Sequence, residues 1–330
     1  SSADYESAAG LFQVICIDSN GSLVWERQLP AVTYSTEYGL AIALDNNGDV
    51  IVSGIKWNGH DMDMLTLKLN EVATDVSGNI AITGITYTGS NTSWLTLKYN
   101  SSGSLLWSKV LENNLTDSYI EPKDIHISSD GSIGVTGYHG NSEYFQCFYT
   151  IVYSETGDVI WSDLYEPEGS EQINSYANAL TCDEEGNWYV TGILNTVEPR
   201  MHTLKYSEDG NLLWENTAEG EFSQALSIEN GDGVVYVGGR HFGGWVDDGT
   251  LLISYNYDGT ENWTQATNDL IDVRPALLTL DASGNPVISA WGYDGGTFDN
   301  RLKTIRYDVD GNVTDEWSFN IANIGFGGFT

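Results

Sequence analysis

"KYSEDGNLLW", residues 205–214, decides the fold of this chain. A run of β-formers ends at Tyr206, turns on Asp209-Gly210, and resumes with two leucines and Trp214. Apolar runs on either side of a short Asp-Gly turn predict a β-hairpin. The same hairpin is written six times. Its copies are "DSNGSLVW" (18–25), "NSSGSLLW" (100–107), "SETGDVIW" (154–161), "SEDGNLLW" (207–214), "NYDGTENW" (256–263) and "DVDGNVTDEW" (308–317). The last has two extra residues before Trp317. Most of the turn glycines (Gly21, Gly103, Gly157, Gly210, Gly259, Gly311) stand about 50 residues apart; the first step, at 82, is longer.

A second motif alternates with the first: "DNNGDVIVSG" (45–54), "DVSGNIAITG" (75–84), "SSDGSIGVTG" (128–137), "DEEGNWYVTG" (183–192), "NGDGVVYVGG" (230–239) and "DASGNPVISA" (281–290). Together the motifs define a unit of four strands: a as in "ALTCD", b as in "NWYVTG", c as in "HTLKY", d beginning "NLLW". Four short strands per repeat of this length predict an all-β protein of β-propeller type. Residues 1–330 then form a single propeller domain.

The slot five residues before each turn glycine counts the blades: Cys16, Lys98, Val152, Lys205, Ser254 and Arg306, with Lys68 in "TLKLN" as a seventh copy. Seven blades are expected, with six as the alternative. The first hairpin (11–28) has no a–b pair before it, and the tail "NIANIGFGGFT" (320–330) is available as an inner strand. Pairing the two chain ends in one blade would close the ring and remove its sheet edges. The blade near residue 70 is short: from Leu69 the chain passes into "EVATDVSGN" with roughly 20 to 25 residues of the repeat missing. Either the outer strand is lost or a segment is absent from the sequence; an exposed edge favours the second.

These residues resemble a known family. Lys-Tyr-x-x-x-Gly-x-x-x-Trp, paired with Asp-x-x-Gly-Asn-x-x-x-Thr-Gly, is similar to the SBBP-type β-propeller repeat of exported and surface proteins. The likeness covers nearly the whole chain and implies fold; the shared residues are turn and core positions and carry no common active site.

Composition narrows the function. Forty-seven acidic against 13 basic residues give a net charge of −34. Nucleic acid, whose binding requires clustered Lys and Arg, is excluded as a partner, and an anionic membrane surface is disfavoured. Three cysteines (Cys16, Cys147, Cys182) are too scattered for a disulfide framework. No apolar run reaches the roughly 18 residues of a membrane helix, so no membrane insertion is expected. The expectation is an exported or cell-surface chain without its signal peptide. Sequons at Asn20, Asn91, Asn100, Asn114, Asn262 and Asn312 are glycosylation candidates in that setting.

Repeated residues read first as architecture. Trp25, Trp107, Trp161, Trp214, Trp263 and Trp317 occupy one slot per blade, as inter-sheet packing requires. Lys68, Lys98, Lys205 and Arg306 share another slot, with stems buried and heads paired to Asp. "DVDGN" (308–312) offers Asp308 and Asp310 as weak Ca²⁺ ligands, the one cofactor the sequence suggests; the loop lacks the closing bidentate acid, and Asp-Gly is what a hairpin turn needs. The quinoprotein ending of "SETGDVIW" lacks its threonine in the other copies, and the sialidase Asp-box spacing fails at Asp209-Gly210.

What the repeat does not dictate is the set of b–c loops, all expected on one face. They carry Trp57, Trp94, Tyr138, His139, Tyr144, His241, Trp245, Trp291 and Tyr293 among Gly, Asn and Asp. Aromatic platforms beside short polar side chains suit glycans or protein surfaces; the competing reading folds several rings inward as a cover. Trp57, His139, Tyr144, His241 and Trp245 are the candidate ligand-binding residues. The expected function is a binding or assembly module whose partner is an extracellular glycan, a protein or a second copy of the chain. The rivals are a structural subunit of an extracellular assembly or filament, and an enzyme acting on an extracellular polysaccharide with two carboxyls from different blades. No catalytic residue is assigned.

Overall fold

The structure, a computed structural model, describes residues 13–17, 23–28, 37–44, 50–56, 68–88, 91–101, 104–112, 120–140, 146–167, 174–195, 198–218, 222–242, 248–268, 270–294, 297 and 299–320. Every regular element among them is a strand. A first hairpin joins β1 (Gln13–Ile17) to β2 (Leu23–Gln28), and a second joins β3 (Glu37–Leu44) to β4 (Val50–Lys56). Five four-stranded antiparallel sheets follow, each taken in chain order from innermost to outermost strand. The first comprises β5 (Lys68–Thr74), β6 (Ile80–Thr88), β7 (Asn91–Tyr99) and β8 (Leu105–Leu111). The next comprises β9 (Glu121–Ile127), β10 (Ile133–Gly140), β11 (Gln146–Tyr153) and β12 (Val159–Tyr165). Then come β13 (Asn174–Cys182), β14 (Trp188–Asn195), β15 (Arg200–Tyr206) and β16 (Leu212–Thr217). After them stand β17 (Ser223–Asn230), β18 (Val234–His241), β19 (Gly249–Asn256) and β20 (Glu261–Ala266). The last sheet is β21 (Leu270–Leu280), β22 (Pro286–Asp294), β23 (Asn300–Tyr307) and β24 (Val313–Asn320).

The sheets stand side by side as propeller blades do. β3 packs on β5, β5 on β9, β9 on β13, β13 on β17 and β17 on β21, so strands of the a type succeed one another at the inner edge. The a-to-d reading of the repeat matches these sheets strand for strand.

Three expectations are corrected. The ring is not closed by pairing of the chain ends: β1 pairs only with β2, and the last sheet is already complete with four strands of its own. A strand from the N-terminal end has no vacancy to fill there; the proposed inner strand at 321–330 lies outside the described residues. The four-stranded sheets number five, so neither seven nor six blades of four strands are present among the described residues. Finally, Lys68 is not a strand-c residue. It opens β5, where it faces Ile85 in β6, so it belongs to the inner strand of the following sheet.

Both sequence motifs have a local physical cause. In the turns of the second motif, the Asp75, Asp183 and Asp281 carboxylates each accept the backbone N–H groups two and four residues on, at 2.8–3.1 Å. The Asn four residues on donates its side-chain amide to the other carboxylate oxygen. The intervening Gly78, Gly186 and Gly284 have φ from 74° to 82°, which a side chain resists. The motif's final glycine answers a bulge. An extra residue in strand a (Lys123, Asn178 or Leu226) pushes the preceding backbone toward strand b. A Cβ on Gly137, Gly192 or Gly239 would meet a carbonyl oxygen at 2.1, 1.9 or 2.0 Å.

Tryptophans of strand d join one sheet to the next. Trp107, Trp161, Trp214 and Trp263 lie over Gly157, Gly210, Gly259 and Gly311, the c–d turn glycines of the following sheet. A Cβ on any of these would come within 2.9 Å of the ring. Trp107, Trp214 and Trp263 also donate Nε1–H to the carbonyl two residues before that glycine, at 2.9–3.0 Å. Strand c adds a second tie. Lys98 is fully buried and reaches the Gly131 and Glu155 carbonyls at 3.4 and 3.5 Å. Lys205 donates to the Tyr257 carbonyl at 2.9 Å, sits 3.7 Å from Asp183, and lies over the Tyr189 and Tyr257 rings. One carbonyl thus receives both a lysine and a tryptophan.

Candidate functional site

Strand a begins, and strand b ends, on the face that carries the b–c loops. Among the predicted residues there, His139 and His241 are described; Trp57, Tyr144 and Trp245 lie outside the described residues. His139 ends β10, half-buried, with its ring 5.3 Å from Tyr149 and Nδ1–H donating to the Gly140 carbonyl at 2.7 Å. Burial holds its pKa below the usual histidine range, so it is neutral at pH 7. His241 ends β18 and donates Nε2–H to the Thr267 carbonyl at 2.8 Å. The two histidines stand on different sheets, and both are engaged with backbone.

Several loop-face rings turn inward. Trp94 and Tyr138 are buried, and Tyr138 donates its hydroxyl to Glu121 at 2.6 Å. Lys123 pairs with Glu121 at 3.2 Å and lies 5.4 Å from the Tyr138 ring centre. One aromatic pair turns outward. Phe222, 38% exposed, stacks on Phe242 with centroids 6.1 Å apart and planes 10° from parallel. The Arg240 guanidinium stands 5.4 Å from the Phe242 ring, while its nitrogens donate to Gln224 and the Val273 carbonyl. The result is a flat aromatic step beside a cation fixed by hydrogen bonds, on the loop face of the β17–β20 sheet. Phe222 escaped the sequence reading because it lies in a d–a crossing, outside the b–c loops; Phe242 lies in the loop of His241 and was not singled out there.

Sequence reasoning also missed three carboxyls on innermost strands. Glu71 in β5 is pushed up to about 8 by burial and the nearby charge of Asp124. Asp124 in β9 is raised to about 7 by burial, although it accepts N–H groups of Leu180 and Ile125, each at 2.8 Å. Burial and Asp124 together raise Glu229 in β17 to about 7. Carboxyls tuned this far toward neutrality can hold or release a proton at pH 7. The repeat does not mark them, because each strand a differs at these positions.

On the opposite, turn-bearing face, the weak Ca²⁺ candidate Asp308 uses its carboxylate on the N–H groups of Asp310 and Asn312 and on the Asn312 amide. It repeats the structural turn of Asp183. Of the sequons, Asn262 and Asn312 are exposed; Asn100 accepts the Ser104 N–H at 2.8 Å, and Asn91 begins β7. Asn20 and Asn114 lie outside the described residues. Cys147 and Cys182 are buried free thiols, raised by burial to about 11 and about 12.

Comparison with known proteins shows the β-propeller type. Residues 148–289 match a family described as outer membrane protein assembly factor BamB. That stretch contains the β13–β16 and β17–β20 sheets whole and parts of the sheets on either side. The chain is also similar to the apocarotenoid oxygenase of Synechocystis (Glu150Asp mutant): 9% identity, 85% of this chain and 71% of that one, TM-score 0.51. A protein of unknown function from Dyadobacter fermentans shows 11% identity over 88% of each chain, TM-score 0.50. The β-propeller domain of the Trilobed protease from Pyrococcus furiosus, described as having an open velcro topology, shows 14% identity over 77% of this chain and 71% of that one, TM-score 0.46. The first two of these structural likenesses speak to fold alone. No curated protein matches the sequence.

Proposed function

We propose that this chain is an exported or cell-surface binding and assembly module that recognises a glycan or protein surface through its loop face. The observation that carries the reading is the stacked Phe222–Phe242 pair beside Arg240, with Phe222 exposed to solvent, on segments the repeat does not dictate. Flat rings give contact area at small entropic cost, and a hydrogen-bonded guanidinium gives direction. The family description over residues 148–289, which concerns outer membrane assembly, supports this class of role. The large negative charge suits an exported setting, and among the described residues no helix is long and apolar enough to cross a membrane. The raised carboxyls Glu71, Asp124 and Glu229 favour one second reading, hydrolysis of an extracellular polysaccharide.

A glycan array and a pull-down from envelope material, each run with wild type and Phe222→Ala/Phe242→Ala, test the first reading. Binding lost at unchanged thermal stability supports it. Binding retained by the double variant removes the loop face from the account. Turnover of a polysaccharide that Asp124→Asn abolishes would transfer the assignment to the second reading.

A further inference from the structure

A cavity of about 150 Å³ opens between the β9–β12 and β13–β16 sheets on the turn-bearing face, away from the proposed recognition surface. Ser128, Asp130, Val152, Gly186, Trp188 and Glu208 are among the residues lining it. Its position follows from the repeat. Val152 occupies the slot held by Lys98 one sheet earlier and by Lys205 one sheet later. Val152 faces Trp161 across strands c and d, as Lys98 faces Trp107 and Lys205 faces Trp214. Gly186 and Glu208 stand where Gly131 and Glu155 accept from Lys98. Asp130 belongs to the same a–b turn as Ser128, the counterpart of the Asp183 that faces Lys205. The cavity is therefore the lysine position of this interface, without its lysine.

A second, independent feature marks the interface. Trp161 is 8% exposed, and its Nε1–H has no hydrogen-bond partner, whereas Trp107, Trp214 and Trp263 each donate to a carbonyl at the edge of the equivalent position. This interface lacks both the ammonium and the tryptophan tie, whereas Trp263 keeps its tie with Ser254 in the lysine slot. We propose that this cavity binds a primary alkylammonium group, which enters between Asp130 and Glu208 and takes the place that the Lys205 head fills in the next sheet. The lining supplies acidic residues for its charge and Trp188 for its apolar stem. Hydrogen bonds from both Ser128 and Ser132 overcome the opposing effect of burial and keep Asp130 ionised well into the acid range. The volume exceeds that of a single water several-fold and admits a butyl-length stem.

The test is a titration of the whole chain with n-butylammonium chloride, followed by ligand-observed NMR, against tetramethylammonium and sodium chlorides at matched ionic strength. Saturable binding of butylammonium alone is expected, because tetramethylammonium has no N–H to donate. Asp130→Asn should weaken it at least tenfold, and Val152→Lys, which fills the cavity from within, should abolish it. Circular dichroism confirms that each variant is folded, and Asp130→Asn gives the answer if Val152→Lys does not fold. Nα-acetyl-lysine methylamide and spermidine then separate a peptide lysine from a free polyamine as the source. Equal binding by wild type and both variants, or a butylammonium response no larger than that of sodium, overturns the proposal.

Discussion

Two neighbouring interfaces of this molecule are built to one plan and finished differently. Between the β13–β16 and β17–β20 sheets, Lys205 and Trp214 converge on the Tyr257 carbonyl, with Asp183 and two tyrosine rings around the ammonium. Between the β9–β12 and β13–β16 sheets, Val152 replaces the lysine, the Trp161 N–H is unpaired, and a cavity stands open. The tryptophan over the turn glycine is common to both. What differs is polar closure. Ring-on-glycine packing is enough to set sheets side by side; between the β17–β20 and β21–β24 sheets the Trp263 tie persists with Ser254 in the lysine slot. A third case lies at the last sheet, where two extra residues place Trp317 opposite Thr304 and put Asp315 opposite Arg306. There Arg306 pairs with Asp315 and Asp281, and Trp317 is 42% exposed.

The largest expected effect breaks the common element. Trp161→Ala should cost about 3–5 kcal/mol, since it empties a buried ring position. Trp317→Ala should cost under about 1 kcal/mol, because the residue is already 42% exposed. Urea unfolding of both variants checks this, and equal losses would mean that the ring-on-glycine join is not what the tryptophans supply.

Next comes the lysine. Lys205→Val removes the partner of a fully buried carboxylate and should cost about 3 kcal/mol. Lys98→Val, which forfeits only two long bonds to carbonyls, should cost about 1 kcal/mol. Calorimetric midpoints in that order sharpen the comparison; the reverse order would shift the weight from the carboxylate and the tyrosine rings to the carbonyls.

These interfaces were partly legible beforehand. The turn glycines, the tryptophan slot and the lysine slot recur in sequence because each sheet repeats one contact, so periodicity exposed them. That the chain ends do not pair was not legible, because a contact that would be made only once is not encoded in a repeat. Lys68 was misplaced for a related reason: "TLKLN" carries the strand-c signature, yet backbone pairing with β6 is satisfied by running it directly into "EVAT". His139 and His241 were singled out by residue type alone, whereas Phe222 and the three inner carboxyls depend on which strands tertiary packing brings together.

A pH series separates interior carboxyls from interior histidines. Glu71, Asp124 and Glu229 have raised values, so the folded chain keeps protons that the unfolded chain releases above about pH 4; their effect is a loss of stability as pH rises to about 8. His126 and His202 are lowered to about 4 by burial, so they destabilise as pH falls below about 6.5. His202 is held neutral, donating Nε2–H to Tyr165 and accepting from Thr217. The two sets oppose each other between about pH 4 and 6.5, and the carboxyls act alone from about 6.5 to 8. The melting midpoint should therefore stay nearly level in the first window and fall in the second. Glu71→Gln should flatten that fall; an unchanged slope would show that Glu71 does not titrate there.

The most direct measurement restores the missing lysine. Val152→Lys places at the open interface the residue that closes its neighbours, with Asp130 and Glu208 available to its head. The account predicts a folded variant with a melting midpoint above wild type, a gain of about 1 kcal/mol, and the same gain in a Lys205→Val background. A folded Val152→Lys whose midpoint falls below that of wild type would contradict the claim that one lysine position governs closure between the sheets.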